Sequence, residues 1–270
     1  MPGGDIIAEL ALGCAVGFTI GLTGIGGGAL VVPALSLVLG LPATTAVGTA
    51  SAYIFLSNIF ASVQHWRGGS IDLRLANRVI AGALPGNIAA CLAVGQAKRA
   101  AADAAALATL QSHLRVFIAG ILALSILLML ANLIADLRSR TAAGPLPTPP
   151  RPPLPLPASL LLGALVGAVL GATSVGGGVI LVPLLMLAFG LSARHTVGTS
   201  SYLALVLTLS TALLSAGRGD VRWPVAALMA VGSLLGVLAG IRLGRRLPET
   251  ALRLLVVLLM LAAVGGMLLS

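Results

Sequence analysis

Gly24-Ile25-Gly26-Gly27-Gly28-Ala29-Leu30-Val31-Val32-Pro33 and Ser174-Val175-Gly176-Gly177-Gly178-Val179-Ile180-Leu181-Val182-Pro183 are two copies of one pattern, set 150 residues apart. Each copy lies in the middle of a long apolar run. A glycine costs about 1 kcal/mol against alanine in a helix, so three together leave a short non-helical link. In a bilayer such backbone is tolerated only where protein buries it or a cavity borders it. The helix that restarts after the break presents free N–H groups and about half a positive charge at its first turn. That end suits an anion. The breaks are therefore candidate sites, and close helix packing through small residues is the competing reading.

The surrounding composition sets the class. The chain has 270 residues, 58% hydrophobic and 9% charged, with a mean hydropathy of +1.09. A soluble core cannot absorb that much apolar surface, so the expected fold is an all-α polytopic membrane protein. The apolar runs are continuous rather than alternating, which argues against a β-barrel. The net charge of +9 is no nucleic-acid signal, because the basic residues sit at the ends of apolar runs, as the positive-inside rule expects. Cys14 and Cys91 have no framework of partners, so neither a disulfide, a metal site nor a cofactor is expected. Ala11-Leu12-Gly13-Cys14 loosely resembles a lipoprotein cleavage site. No basic residue precedes it and Asp5 and Glu9 flank it, so no cleaved leader is expected.

Apolar segments are predicted over residues 6–22, 29–39, 45–63, 75–94 and 114–134. Between the last two, an alanine-rich link carries Asp103. Residues 144–157 hold a dense proline run that predicts an extended tether. The expected organisation is a first repeat over 1–140, a linker over 141–157 and a second repeat over 158–270. Aligned without gaps, residues 24–53 and 174–203 are identical at 14 of 30 positions. The register continues through Gly69/Gly219, Gly82/Gly232, Gly86/Gly236 and Ala89/Ala239. Matched glycines and prolines in fixed register indicate an internal duplication, a pattern found in transporters.

The basic residues bear on how the halves face. If each broken segment crosses once, the halves are parallel and the basic residues divide 8 and 8. If each broken segment is a re-entrant hairpin followed by three full helices, the halves are inverted. One face then holds 11 basic residues, and the other holds 5, namely Lys98, Arg99, Arg115, Arg218 and Arg222. The positive-inside rule prefers the inverted arrangement. It places both termini outside and the proline tether in the cytoplasm.

The run from Gly24 to Gly28 with Pro33, then Gly40-Leu41-Pro42 and Ala46-Val47-Gly48-Thr49-Ala50-Ser51, resembles the sulfite exporter TauE/SafE family, also called the toluene sulfonate uptake permease family. The second half matches through Val175-Gly176-Gly177-Gly178, Pro183 and Val197-Gly198-Thr199-Ser200-Ser201. Gly68-Gly69-Ser70-Ile71-Asp72 and Gly219-Asp220-Val221 resemble the family's loop after the next helix. The resemblance implies a secondary transporter of small sulfur-containing anions such as sulfite or organosulfonates in the cytoplasmic (inner) membrane. One departure separates the halves: Ala50 stands where the second half has Ser200.

The expected site joins the two breaks near the bilayer midplane. Gly26, Gly27 and Gly28 with Gly176, Gly177 and Gly178 would supply backbone N–H donors. Thr49, Ser51, Thr199, Ser200 and Ser201 would add hydroxyls, with helix capping as the competing role. Asn87 is a further candidate on the substrate path, ahead of Asn58 and Asn132, since polar groups within spans are often functional. Tyr53 and Tyr202 read as packing, His65, His113 and His195 as interfacial, and Trp66 and Trp223 as interfacial anchors. No Lys or Arg lies well inside a predicted span, so dipoles and hydrogen bonds are expected to hold the anion. The expected partners are a small anionic substrate, the lipid bilayer and a second copy of the chain in a homodimer. A channel or a permease subunit for another anion is the alternative. A membrane enzyme would need paired carboxylates, a metal cluster or an activated nucleophile within the spans, and the seven acidic residues fall at ends or loops. No nucleotide-binding glycine loop with Lys-Ser/Thr is present.

Overall fold

The computed structural model describes residues 6–23, 28–101, 103–141, 154–174, 181–189, 191, 193–244, 258, 261 and 265. Among them all regular structure is helical. The helices are α1 (Ile6–Thr23), α2 (Gly28–Val38), α3 (Ala43–Arg67), α4 (Leu73–Ala100), α5 (Ala104–Thr141), α6 (Leu156–Thr173), α7 (Leu181–Phe189), α8 (Ala193–Ala216) and α9 (Trp223–Gly244). Five spans within them, Leu73–Ala100, Ala104–Ile121, Leu156–Thr173, His195–Ala216 and Trp223–Gly240, are long and apolar enough to cross a membrane. The protein is thus an all-helical membrane protein. The short α2 and α7, of 11 and 9 residues, follow the two breaks and are too short to span alone.

The close approaches come in pairs related by the 150-residue offset. Along α1 and α9, a Cβ at Gly13 would land on the backbone of Met229, at Gly17 on Ser233, at Gly232 on Leu10 and at Gly236 on Cys14. Along α4 and α6, Gly163 meets Val79, Gly167 meets Ala83, Gly82 meets Leu160 and Gly86 meets Ala164. Subtracting or adding 150 converts one set into the other. Small residues four apart let helix backbones touch, which is how spans associate where lipid offers no hydrophobic drive. Residue numbers rise together along each pair, so α1 runs parallel to α9 and α4 parallel to α6. The pair α3 and α8 is antiparallel. Gly48, near the start of α3, closes on Asp220 just past α8, and Gly198, near the start of α8, closes on Ser70 just past α3.

The turns repeat as well. Gly69 and Gly219 adopt φ of +62° and +74°, a left-handed conformation that favours glycine after a helix. Their N–H groups donate to Trp66 O at 2.9 Å and Ala216 O at 3.0 Å. The next N–H groups, of Ser70 and Asp220, reach back to His65 O and Ser215 O. Asp72 then caps α4 by accepting from Leu75 N–H at 3.0 Å. Two apolar clusters fill the bundle. One centres on α2 and α3 around Tyr53, with Ile118 and Met229. The other joins α4, α6, α7 and α8 around Leu170, Leu181 and Leu203.

Two expectations are corrected. The alanine-rich link before Leu114 is mostly helix, because α4 continues to Ala100 and α5 already begins at Ala104. Alanine is the best helix former, and an uncharged alanine run next to a span extends it. The tether also ends earlier than Pro157, since α6 starts at Leu156 and takes Pro157 into its first turn, a position where the missing N–H costs nothing. The rest of the tether, residues 142–153, lies outside the described residues, as do the side chain of Asn132 and most of the chain after Gly244.

Candidate functional site

Thr49 and Thr199, 150 residues apart, bridge the repeats in the same way. Thr49 is fully buried, and its hydroxyl accepts from the Arg222 N–H at 3.0 Å. Thr199, also fully buried, accepts from the Asp72 N–H at 3.0 Å. Asp72 and Arg222 are themselves 150 residues apart, so each repeat seats the loop of the other on its own helix start. This bonding fits a joint between repeats at least as well as a ligand site.

Ser51 links the first repeat to the second break. Its hydroxyl lies 2.9 Å from Val47 O and 2.8 Å from Ser174 Oγ, and both serines are buried. One hydroxyl proton serves one acceptor, so a consistent chain has Ser174 donating to Ser51 and Ser51 to Val47 O. Ser174 ends α6 at φ +55° and is the residue from which the second glycine cluster departs. The matching serine, Ser201, bonds Val197 O within its own helix at 2.9 Å, and Ser200 bonds the same carbonyl at 3.0 Å. Gly28 is the first residue of α2. Gly26, Gly27, Gly176, Gly177 and Gly178 lie outside the described residues.

Asn87 is fully buried on α4, where a Cβ at Gly171 of α6 would meet its backbone. Its Oδ1 accepts from Ser210 Oγ at 2.7 Å and Thr211 Oγ1 at 3.1 Å. Asn58 instead donates to Ile54 O of its own helix at 3.0 Å. Tyr53 is fully buried in the first cluster, and Tyr202 packs against the second. Trp66 and Trp223 stand exposed at helix ends.

One cation that sits outside the helices in sequence reaches back along α4. Arg218 follows α8, but its side chain folds back and is only 14% exposed. Its Nη1 donates to Cys91 O at 3.2 Å, and its Nη2 donates to Ser215 Oγ at 3.1 Å. Cys91 is nine residues inside the end of α4, about 13 Å along the axis. Gly95 makes room: a Cβ there would stand 2.8 Å from Arg218 Cδ. Arg218 Nε also pairs with Asp220 Oδ2 at 3.5 Å, while Lys98 Nζ pairs with Asp220 Oδ1. Sequence position alone put Arg218 in a loop. The signal for its reach was the asymmetry Arg218/Gly68 between otherwise matching loops.

Comparison with known proteins finds membrane transporters. The chain is 29% identical over 261 residues to "Probable membrane transporter protein YjnA" of Bacillus subtilis, covering 95% of the chain and 97% of the relative. It is 26% identical over 255 residues to "Probable membrane transporter protein YdhB" of the same organism, covering 94% and 96%. A 74-residue stretch is 42% identical to "Probable membrane transporter protein YunE", covering 27% of each. No solved structure matches. The model of the family described as "Sulfite exporter TauE/SafE" matches residues 9–267, nearly the whole length, and the chain belongs to that family of membrane transporters.

Proposed function

We propose that the protein is a secondary transporter that exports a small sulfur-containing anion, such as sulfite or an organosulfonate, across the cytoplasmic membrane by alternating access. The observation that carries this reading is the buried Ser51–Ser174 contact at 2.8 Å, which holds the first repeat against the lip of the second break. An anion entering the break competes for the proton that Ser174 gives to Ser51. The backbone N–H groups of Gly26, Gly27, Gly28, Gly176, Gly177 and Gly178 are the proposed principal donors, because helix starts attract anions.

Two repeats, 1–140 and 158–270, are proposed to be inverted about an axis in the membrane plane. The antiparallel α3–α8 pair, whose members are 150 residues apart, supports this, since a rotation about the membrane normal would leave them parallel. Inverted repeats favour rocking about a midplane site. The uneven split of basic residues then supports both termini outside and the 141–157 linker in the cytoplasm. A negative-inside potential favours anion exit by about 2.3 kcal/mol per charge per 100 mV, enough to drive uniport.

A thermal-shift series on the purified chain at fixed ionic strength tests the cargo. Sulfite, thiosulfate and taurine are compared with chloride. A selective shift with one sulfur anion that disappears in Gly177→Val is expected. Equal shifts with every salt, or one untouched by Gly177→Val, would count against the reading.

A further inference from the structure

A buried polar track runs along α4 and α8 toward the end of α4. Its first member is Asn87, whose Nδ2 has no hydrogen-bond partner. Ser210 and Thr211, which face its Oδ1, also lie 2.8 and 3.1 Å from Leu207 O, and each hydroxyl has one proton to give. Turned over, the amide would donate to both hydroxyls while they donate to Leu207 O, and Oδ1 would then be the empty end. In either orientation one end of a fully buried amide goes unpaired, a state that costs free energy until a partner arrives. One turn further along α4, the Cys91 thiol donates to Gly171 O at 3.2 Å, and the Arg218 guanidinium sits on Cys91 O. Lys98 and Arg218 share the single carboxylate of Asp220. Two cations against one anion leave one positive charge over, and that charge is mostly removed from water.

These groups have no equivalents across the pseudo-symmetry. At the positions matching Asn87, Ser210, Thr211, Arg218 and Asp220, the sequence has Val237, Phe60, Ala61, Gly68 and Ser70. A purely structural joint would serve both repeats alike, as Thr49 and Thr199 do.

We propose that the α4–α8 seam is an anion-binding site for a small oxyanion, with the Arg218 guanidinium supplying the charge and Asn87 Nδ2 a neutral donor. The site deepens the transporter reading and rests on it for its place on the transport path. The anion would meet a full charge here and only dipoles at the break.

The test is titration calorimetry of the full chain in lipid nanodiscs with sodium sulfite and sodium sulfate, beside its melting temperature without added anion. Arg218→Gln should weaken binding by about tenfold or more, the usual size of a lost charge-assisted hydrogen bond. It leaves Lys98 and Asp220 paired one to one, so the anion-free melting temperature should stay near that of the wild type. Asn87→Leu should weaken binding several-fold. Asp220→Asn, which removes the competing carboxylate, should tighten it. Unchanged affinity in Arg218→Gln, a lowered anion-free melting temperature with unchanged affinity, or weaker binding in Asp220→Asn would each overturn the site. Sulfite flux in vesicles with Arg218-independent binding sinks the seam and spares the transporter reading. Arg218-dependent binding without sulfite flux sinks the cargo and spares the site.

Discussion

The seam between α4 and α8 and the seam between α9 and α3 use matching positions of the two repeats, but they carry different chemistry. The first holds Asn87, Ser210, Thr211 and the Lys98–Asp220–Arg218 cluster. The second holds Tyr53, whose hydroxyl is buried without a well-placed partner, beside Ser57 and Ser233. The helices that carry these seams, α9 and α4, pack alike on α1 and α6, through Gly17 on Ser233 and Gly167 on Ala83. Among the described residues, packing is therefore the property both seams share, and the buried charge cluster is the property of one. A pseudo-symmetric frame can hold an asymmetric path, because backbone contact constrains small residues while side chains lining a seam are free to differ.

The comparison breaks most readily at the shared packing. Gly167→Leu and Gly17→Leu each force a side chain into a neighbouring backbone and should each lose about 3 kcal/mol, the upper range for overpacking. Thermal unfolding in detergent checks this, and equal losses in the two variants would sharpen the idea of a common frame. Unequal losses would split it.

Exchanging polar and apolar residues across the symmetry should give the next effect. Val237→Asn adds an amide to a seam whose sequence has Phe60 and Ala61 in place of the two hydroxyls, and should cost about 1–3 kcal/mol. Asn87→Val removes an unpaired amide and leaves Ser210 and Thr211 bonded to Leu207 O, so stability should change by less than about 0.5 kcal/mol while anion binding falls. Chemical-denaturant titration beside calorimetry separates the two outcomes.

Smaller and symmetric losses are expected at the threonines. Thr49→Val and Thr199→Val each strand one backbone N–H, of Arg222 and Asp72, at about 1 kcal/mol apiece. The smallest contrast lies at the serines. Ser51→Ala breaks the link to Ser174 and should cost about 1 kcal/mol. Ser201→Ala loses only a bond within its own helix and should stay within about 0.5 kcal/mol. Melting curves of the four variants read both contrasts.

Much of this frame was legible in the sequence because it is written in glycine and proline. Gly48/Gly198 and Gly69/Gly219 sit where backbones touch or turn left-handed, and only glycine meets those demands cheaply. The end of each helix was less legible. The alanine run at 100–108 has high propensity but little hydrophobic pattern, so its helical state depends on the span it extends. The polar track was the least legible part. Ser210 and Thr211 look like ordinary helical hydroxyls bonded four residues back, and nothing local says that Asn87 faces them. Arg218 was misplaced because sequence locates a Cα, whereas its charge sits several ångströms away at the end of a long flexible stem.

The central claim is that a sulfur anion passes between two inverted repeats. Counterflow of radiolabelled sulfite in proteoliposomes tests it most directly, comparing the wild type with Ser174→Val and Gly177→Val under an imposed negative-inside potential. The account predicts saturable exchange in the wild type, faster exit as the potential grows, and loss of flux in both variants despite normal insertion. Sulfite flux indifferent to both substitutions, or no flux of sulfite or taurine in the folded wild type, would contradict it.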